Sequence, residues 1–442
     1  MTDKNLPEKF LLRMKNMLGD EFESFLKCFD SQPKKGIRLN TLKCSKEKLE
    51  SLLEPEKSPT SELSYFYEGK VGAMPLHAAG AFYSQEPSAS SAVTVLDPKP
   101  GDYVLDMCAA PGGKSTQIAS LLNGEGLIWS NEVVKSRANI LLSNMERMGV
   151  RNAVISSAYP NVLSKKLGGF FDKVLVDAPC SGEGMFRKND EAITEWSEEH
   201  VKSCAERQLE IMRSAANLVK KDGILVYSTC TFSMEENEEL VKKFLEACPE
   251  YLQEEINVPF GRKAFDNKSL RLFPMDEGEG HFVAKFRRTA ENYEYPRLTE
   301  YKEDKKDLEG QKLFKELFNI KPWGVIKNIG DKFVIMPASK LPDFKGITIL
   351  RAGVILSELV GKHTEPHHSV FAAVKPCEVK MNADFKDGDE NLHKYLKGEE
   401  IEVDENLKGY TLVSVEGVAL GFGKASGGRL KNKYPKGLRL IN

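Results

Sequence analysis

A chain of 442 residues, 41% hydrophobic and 29% charged, with a formal net charge of −2, has the composition of a folded soluble protein and the length for more than one domain. No run approaches the roughly 20 apolar residues that cross a bilayer, and the N-terminus MTDKNLPEKF has neither a basic start nor an apolar signal core, so no membrane span or leader is expected and the protein reads as cytoplasmic. Eight cysteines without a C-x-x-C pair or regular spacing read as reduced thiols rather than disulfides or a zinc site, so no metal is expected; Cys28, Cys44, Cys204, Cys248 and Cys377 read as small buried hydrophobes.

Residues 6–29 place Phe10, Leu11, Met14, Met17, Leu18, Phe22, Phe25, Leu26 and Phe29 at three- and four-residue spacing, which predicts amphipathic helix. GIRLNTLKC and then SKEKLESLLEP read as a strand followed by a helix, with Ser45 as N-cap and Lys48 where a capping box would take an acid. Residues 1–75 are therefore a small α+β module. Its Lys34, Lys35, Arg38 and Lys43 suit either phosphate contact or a solvated basic face.

From about residue 76 strands and helices alternate. Strands are expected at Tyr103 to Met107, Leu127 to Asn131, Ala153 to Ser156, Lys173 to Asp177 and Ile224 to Ser228, with HFVAKFRR at 281–288 closing the sheet. That alternation predicts an α/β domain over 76–288 with a parallel, doubly wound sheet. The charged stretch 289–312 reads as a linker. Short β-like runs with Gly-rich turns then suggest a small α+β domain at 313–380 and a mixed or β domain at 381–442. The stretch from Gly421 to Asn442 carries Lys424, Arg429, Lys431, Lys433, Lys436 and Arg439 with no acid, a stripe suited to a polyanion.

Tyr103 to Thr116, YVLDMCAAPGGKST, is an apolar strand breaking into a Gly-rich loop and a helix. A phosphate-binding P-loop needs Gly five residues before its Gly-Lys pair, where this chain has Cys108, and the dinucleotide fingerprint G-x-G-x-x-G is absent. What remains is the loop Cys108, Ala109, Ala110, Pro111, Gly112, Gly113 and Lys114 before a helix N-terminus, at the place where α/β sheets bind cofactors. Glu132, twenty residues past Gly112 and just after the second strand, is placed to accept from both ribose hydroxyls. A small loop and a ribose acid without a phosphate motif favour S-adenosyl-L-methionine, with Lys114 available to its carboxylate tail.

Cys180 in KVLVDAPCSGEGMF and Cys230 in GILVYSTCTFS each end a short apolar run, so adjacent strands bring two thiols to one site. Carbon 5 of cytosine attacks a methyl donor only after a temporary covalent bond at carbon 6, and a cysteine thiolate suits that bond. Asp177, three residues before Cys180, is placed to supply a proton or hydrogen bond at ring nitrogen 3, as a carboxyl kept protonated by burial can. Arg187 and Lys188 just downstream suit the RNA backbone or the base edge.

DMCAAPGGKST, VLVDAPCSGEGMFRKN and LVYSTCTFS resemble the cofactor, Pro-Cys and Thr-Cys motifs of the Sun family of RNA 5-methylcytosine methyltransferases. The resemblance covers about residues 1–288. GITILRAGVILSEL and LGFGKASGGRLKNKYPKGLR resemble the RsmF type, which acts on small-subunit ribosomal RNA. It implies a Rossmann-like methyltransferase domain, a PUA-like RNA-binding domain at 381–442, Cys230 as nucleophile, Cys180 assisting release of the methylated base, and cofactor contacts from residues 108–114, Glu132 and Asp177. Its partners would be ribosomal RNA and the small ribosomal subunit, and the chain would act as a monomer. One departure stands out: after the third strand, where family members often carry a polar or acidic residue for the adenine amino group, SSAYPN puts Ala158 or Tyr159. Three other readings stay open: a transfer-RNA cytosine-5 methyltransferase, a DNA cytosine-5 methyltransferase using Cys180 as nucleophile, and a non-catalytic ribosome-assembly factor that keeps the fold.

Overall fold

The computed structural model describes residues 6–276, 278–361 and 363–440. The first five residues of the N-terminus and the last two of the basic C-terminal stretch lie outside the described residues.

Strands β1 (Tyr103–Asp106), β2 (Leu127–Asn131), β3 (Ala153–Ser156), β4 (Phe171–Asp177) and β5 (Val219–Thr229) form the parallel heart of a sheet that counts ten strands among the described residues. β6 (His281–Arg288) pairs antiparallel with β5, and β7 (Ile349–Ala352) pairs antiparallel with β3. The order is β6-β5-β4-β1-β2-β3-β7. These strands read as continuous apolar runs because both faces are covered. Leu105, Val174, Val176 and Leu225 join one core, and Val104, Leu175 and Val226 the core on the other face.

β5 starts five residues earlier than the expected Ile224. Phe171 pairs with Val219 and Lys173 with Ile224, so the polar residues between 219 and 224 bulge out, with Asp222 at φ +63. Polar bulge residues look like a turn in sequence, which hides the start of the strand. The charged stretch read as a linker holds the strand Leu298–Glu300, paired with Lys340–Pro342, and the start of the helix Leu308–Leu317. Its acid Asp307 is 1% exposed, ion-paired to Lys327 at 2.6 Å and bonded by the Asn328 N–H.

The amphipathic N-terminus forms two helices, Glu8–Leu18 and Phe22–Phe29, because Gly19 ends the first at φ +53. Ser45 caps the helix Lys46–Leu53 as expected, accepting from the Lys48 N–H. Phe10 and Phe25 from the first two helices pack against Phe186, Trp196 and Phe232, so this module braces the segments that follow Cys180 and Cys230. Another core joins Ile37, Leu39 and Phe82 to Tyr395, Val413, Leu430 and Tyr434 of the C-terminal region. That region is a five-stranded sheet of the described residues, built around Gly409–Val415 and Val418–Ser426.

Candidate active site

In the sheet order β1 has β2 on one side and the parallel β4 on the other, so the winding of the sheet reverses between β4 and β1 and the C-terminal ends of these strands open a crevice. A cavity of about 980 Å³ lies there, lined by Cys108, Glu132, Tyr159, Asp177, Cys180 and Cys230 among others. That is at the upper end of the range of about 300–1,000 Å³ for small-molecule sites, with room for a cofactor and a base.

The loop after β1 turns at Gly112, whose φ of +116 favours glycine and where a Cβ would stand 3.3 Å from Leu141 Cδ1. The helix α1 (Gly113–Leu122) starts from it. Arg137 donates to the Ala110 carbonyl at 3.0 Å and Asn144 to the Pro111 carbonyl at 2.9 Å, which fixes the loop from outside. From the N-terminal module Arg38 donates to the Gly113 carbonyl and to Thr116 Oγ1. Arg38 is fully buried, and burial pulls its guanidinium down to about 9, so it braces this loop and contacts no phosphate. Lys43 likewise donates inward, to the Arg147 carbonyl at 3.2 Å.

Glu132 is 3% exposed and accepts from the Val134 N–H at 2.9 Å, with Arg137 Nη1 3.4 Å from its other oxygen. This fixes the carboxylate against the cavity. Ala158 is buried, and Asn131 holds both its N–H and its carbonyl, so it offers no polar group to adenine. Tyr159 is 67% exposed at the cavity edge, followed by Pro160 and Asn161 in the same wall. Asn161 was not singled out from the sequence, although a polar side chain one residue past a helix-starting Pro is a visible signal. The donor set fits S-adenosyl-methionine: a buried carboxylate for the ribose, the apolar wall Val133, Val134, Tyr159 and Pro160 for the adenine, and Cys108 and Ala110 of the loop beside them, while Ala109, Pro111, Gly112, Gly113 and Lys114 do not line the cavity.

The two sulfurs of Cys180 and Cys230 are 3.3 Å apart, as free thiols. Lys114 is ion-paired beside the thiols. Its Nζ donates to Asp177 Oδ2 at 2.7 Å, and Ser228 donates to Oδ1 at 2.7 Å, so Asp177 acts as an acceptor on both oxygens. Burial acts to lower the Lys114 ammonium, but Asp177 outweighs it by charge and hydrogen bond and the group sits above its ordinary value. The hydrogen bond with Cys230, then burial, then the charges of Cys230 and Glu236 hold the Cys180 thiol well above the thiol range. Cys108 is also held well up, by burial and by Asp106, Asp177 and Glu132, and is no rival nucleophile.

Two buried acids behind the thiols were missed. Glu183 accepts from Thr231 Oγ1, the Phe232 N–H, Ser233 Oγ and Trp196 Nε1 at 2.7–2.9 Å. Glu236 accepts from the Ser181 N–H at 3.0 Å, from Ser181 Oγ, and from Gln208 Nε2 at 2.7 Å. Burial pushes Glu236 up to about 7 against these bonds, and the charge of Glu183 adds to the rise.

The basic residues divide. Arg187 is ion-paired to Glu279 at 3.0 Å and bonded to Ser31, its side chain 7% exposed, so its guanidinium is committed inside the protein; Lys188 lies 3.8 Å from the same carboxylate. Arg429 pairs with Glu400 and Lys433 with Glu365. Lys424 and Lys431 face each other across adjacent strands, both exposed, with Lys424 over the Tyr410 ring, and Lys436 is exposed beyond them. Of the cysteines read as buried, Cys44, Cys204 and Cys248 are so, while Cys28 is half-buried and Cys377 is exposed. Cys377 lies in the short turn Pro376–Glu378, whose three residues have no buried side chain.

Comparison with known proteins gives the family and the fold. Family models match along the chain: the N-terminal domain of 16S rRNA methyltransferase RsmF at residues 6–87, the 16S rRNA methyltransferase RsmB/F domain at 93–287, and the methyltransferase RsmF PUA domain at 382–440. Proteins named ribosomal RNA small subunit methyltransferase F from Vibrio vulnificus and Psychromonas ingrahamii are 32% and 30% identical, each over 98% of this chain and 97% of theirs. Among solved structures, NSun6 from Pyrococcus horikoshii with SFG, an S-adenosyl-methionine analogue, superposes with a TM-score of 0.57 at 25% identity, over 64% of this chain and 99% of that one. A methyltransferase homologue from Pyrococcus horikoshii also gives 0.57, at 28% identity, over 64% and 96%. With its loop, its acid and its thiols so placed, the chain belongs to the RsmB/F methyltransferases of the Sun family, as an RsmF-type member with S-adenosyl-methionine as cofactor.

Proposed function

We propose that this protein methylates carbon 5 of cytidines in small-subunit (16S) ribosomal RNA through a covalent bond from Cys230 to carbon 6. The observation that carries the reading is the pair of thiols at 3.3 Å beside the Lys114–Asp177 pair, in one cavity with the cofactor loop. The choice of RNA rests on the relatives, which are named as ribosomal RNA small subunit methyltransferases.

Bound S-adenosyl-methionine supplies the electrophilic methyl group that carbon 5 takes up. The protein does the rest. Cys230 adds to carbon 6 as a thiolate, and electron density moves toward carbon 5 and ring nitrogen 3. The Lys114 ammonium, held by Asp177, is the donor placed to neutralise that charge, while Asp177 accepts from the amino edge of the base. This replaces the protonated carboxyl expected at Asp177. After methyl transfer the carbon 5 proton passes to water. The electrons of that C–H bond restore the ring double bond, and the C–S pair returns to Cys230. Cys180 donates its S–H to the departing thiolate 3.3 Å away.

The target cytidine has to leave its stack to present its face to the thiol. Lys424, Lys431 and Lys436 are the residues we assign to the RNA backbone. Like charges directly across two strands repel, and a polyanion relieves that repulsion. No described helix is long and apolar enough to cross a membrane. The test is transfer of labelled methyl groups to purified small subunits and to free 16S rRNA, with nucleoside analysis. The expected product is 5-methylcytidine, lost in Cys230→Ser. Methylation of transfer RNA instead, of another atom, or of nothing would overturn the proposal, the last in favour of an assembly factor.

A further inference from the structure

Among the described residues eight cysteines are free thiols, and only Cys180 and Cys230 have their sulfurs bonded to one another, at 3.3 Å. Both line the cavity, so small solutes reach them. The contact is built into the fold rather than left to two side-chain rotamers. Glu183, from the segment after Cys180, accepts from Thr231 Oγ1, the Phe232 N–H and Ser233 Oγ of the segment after Cys230. Glu236, from the second segment, accepts in return from the Ser181 N–H, and Ser181 Oγ meets Thr231 Oγ1 at 2.9 Å. The Gly184 N–H donates to the Cys230 carbonyl at 2.9 Å, and a Cβ on Gly184 would stand 3.0 Å from that oxygen, so the backbone behind the second thiol is held as well. Bonded sulfurs lie about 2 Å apart, which leaves a gap of about 1.3 Å for side-chain rotation to close. Cys108 lines the same cavity, and no described bond joins it to either sulfur.

We propose that the thiol pair is also an oxidation site, at which hydrogen peroxide joins Cys180 and Cys230 in a disulfide that stops methyl transfer and that a dithiol reverses, with Cys180 as the resolving thiol. Cys230, as a thiolate, attacks one oxygen of the peroxide. The O–O bond breaks, a sulfenic acid forms on the sulfur, and the hydroxide that leaves takes a proton from water. Cys180 then attacks that sulfur, the S–O bond breaks, and the second hydroxide leaves with the Cys180 proton as water. The two sulfurs have together given up two electrons, and the peroxide has become two waters. A partner 3.3 Å away makes the second step intramolecular, so it outruns further oxidation to the irreversible sulfinic acid. Two thiol–disulfide exchanges reverse the bond and leave the external dithiol oxidised; in a reducing compartment the bond is therefore transient. It occupies the nucleophile and its release donor together, while Cys108, Ala110 and Glu132 keep their places for the cofactor. The loss of activity rests on the proposed role of Cys230, and formation of the bond does not.

The test treats the reduced full-length protein, free of RNA and cofactor, with graded hydrogen peroxide, blocks the remaining thiols with iodoacetamide and maps the peptides by mass spectrometry without reduction. The expected product is one cross-linked pair of peptides joining Cys180 to Cys230, two hydrogens lighter than the separate thiol peptides, from which dithiothreitol recovers both. Methyl transfer to small subunits should fall in proportion to the cross-link and return on reduction, while calorimetry shows S-adenosyl-methionine still bound. In Cys180→Ser the resolving thiol is gone, and Cys230 should run on to sulfinic acid, two oxygens heavier and not recovered by dithiothreitol. Sulfinic acid at Cys230 of the wild type without the cross-link, a link to Cys108 or another cysteine in its place, the same products at Cys230 in wild type and Cys180→Ser, or methyl transfer undiminished by the cross-link would each overturn the proposal. The cross-link is read without RNA or cofactor, so its absence is distinct from a failure to detect methylation of carbon 5.

Discussion

Replacing Lys114 with Met separates two roles that its position in the cofactor loop invites. In the structure its ammonium is held 2.7 Å from Asp177, with 12% of the Lys114 side chain and 30% of the Asp177 side chain exposed. Losing one partner of a fully buried pair costs about 3–5 kcal/mol. Here the loss of stability should be nearer 1–2 kcal/mol, because Asp177 keeps the Ser228 hydroxyl and partial solvent access. The catalytic loss should be larger: a preorganised donor to developing charge is worth about 3–4 kcal/mol, or 10²–10³ in kcat. Steady-state methyl transfer to 16S rRNA, with cofactor and RNA varied in turn, should therefore show kcat falling by that factor while KM for S-adenosyl-methionine changes less than about threefold. Lys114→Arg should not restore the rate, since the longer planar fork cannot occupy the same site. A kcat within threefold of wild type, or a loss carried by the cofactor KM, would refute the reasoning and return Lys114 to the cofactor's carboxylate tail.

Glu132→Gln should weaken S-adenosyl-methionine binding by about 10- to 100-fold in calorimetry, the loss of a charged acceptor to a hydroxyl; unchanged affinity would remove Glu132 from the site. Asp106, pushed up to about 7 by burial with one oxygen lacking a partner, favours the folded state most when neutral, so its contribution is present below about pH 4 and lost as pH rises through 7. The stability of Asp106→Asn relative to wild type should therefore rise between pH 5 and 8, and a flat difference in thermal denaturation would contradict this. His281 and His368, held at about 4 by burial, act in the opposite direction below pH 6.5, which is why the comparison is with wild type at each pH. Lys424→Ala with Lys431→Ala should lower the salt dependence of RNA binding by about 1.5 in log–log slope, roughly 0.7–0.9 for each phosphate that is no longer neutralised. Arg187→Ala should cost stability and leave that slope unchanged.

The parallel strands were legible because doubly covered strands are continuous apolar runs, and the ends of those runs carried Cys108, Glu132, Asp177, Cys180 and Cys230 into one crevice. Hidden features were those that depend on partners far away in the chain. Arg38 and Arg187 look like RNA-facing cations until Thr116 and Glu279 are seen to hold them. Glu183 and Glu236 look like solvated acids because their donors lie about fifty residues away. ITILRAGVIL was visible as a β-like run, but only tertiary pairing with Val154 and Ile155 shows that part of it, β7, extends the methyltransferase sheet. The shared core of the first and last modules is of the same kind, since neither amphipathic pattern names its partner.

The central claim is that Cys230, and not Cys180, bonds to the base. Cys180→Ser protein incubated with 16S rRNA and S-adenosyl-methionine, digested and mapped by mass spectrometry, tests it most directly. The account predicts an accumulating RNA–protein adduct carried by Cys230. An adduct that forms in Cys230→Ser protein and maps to Cys180 would contradict it.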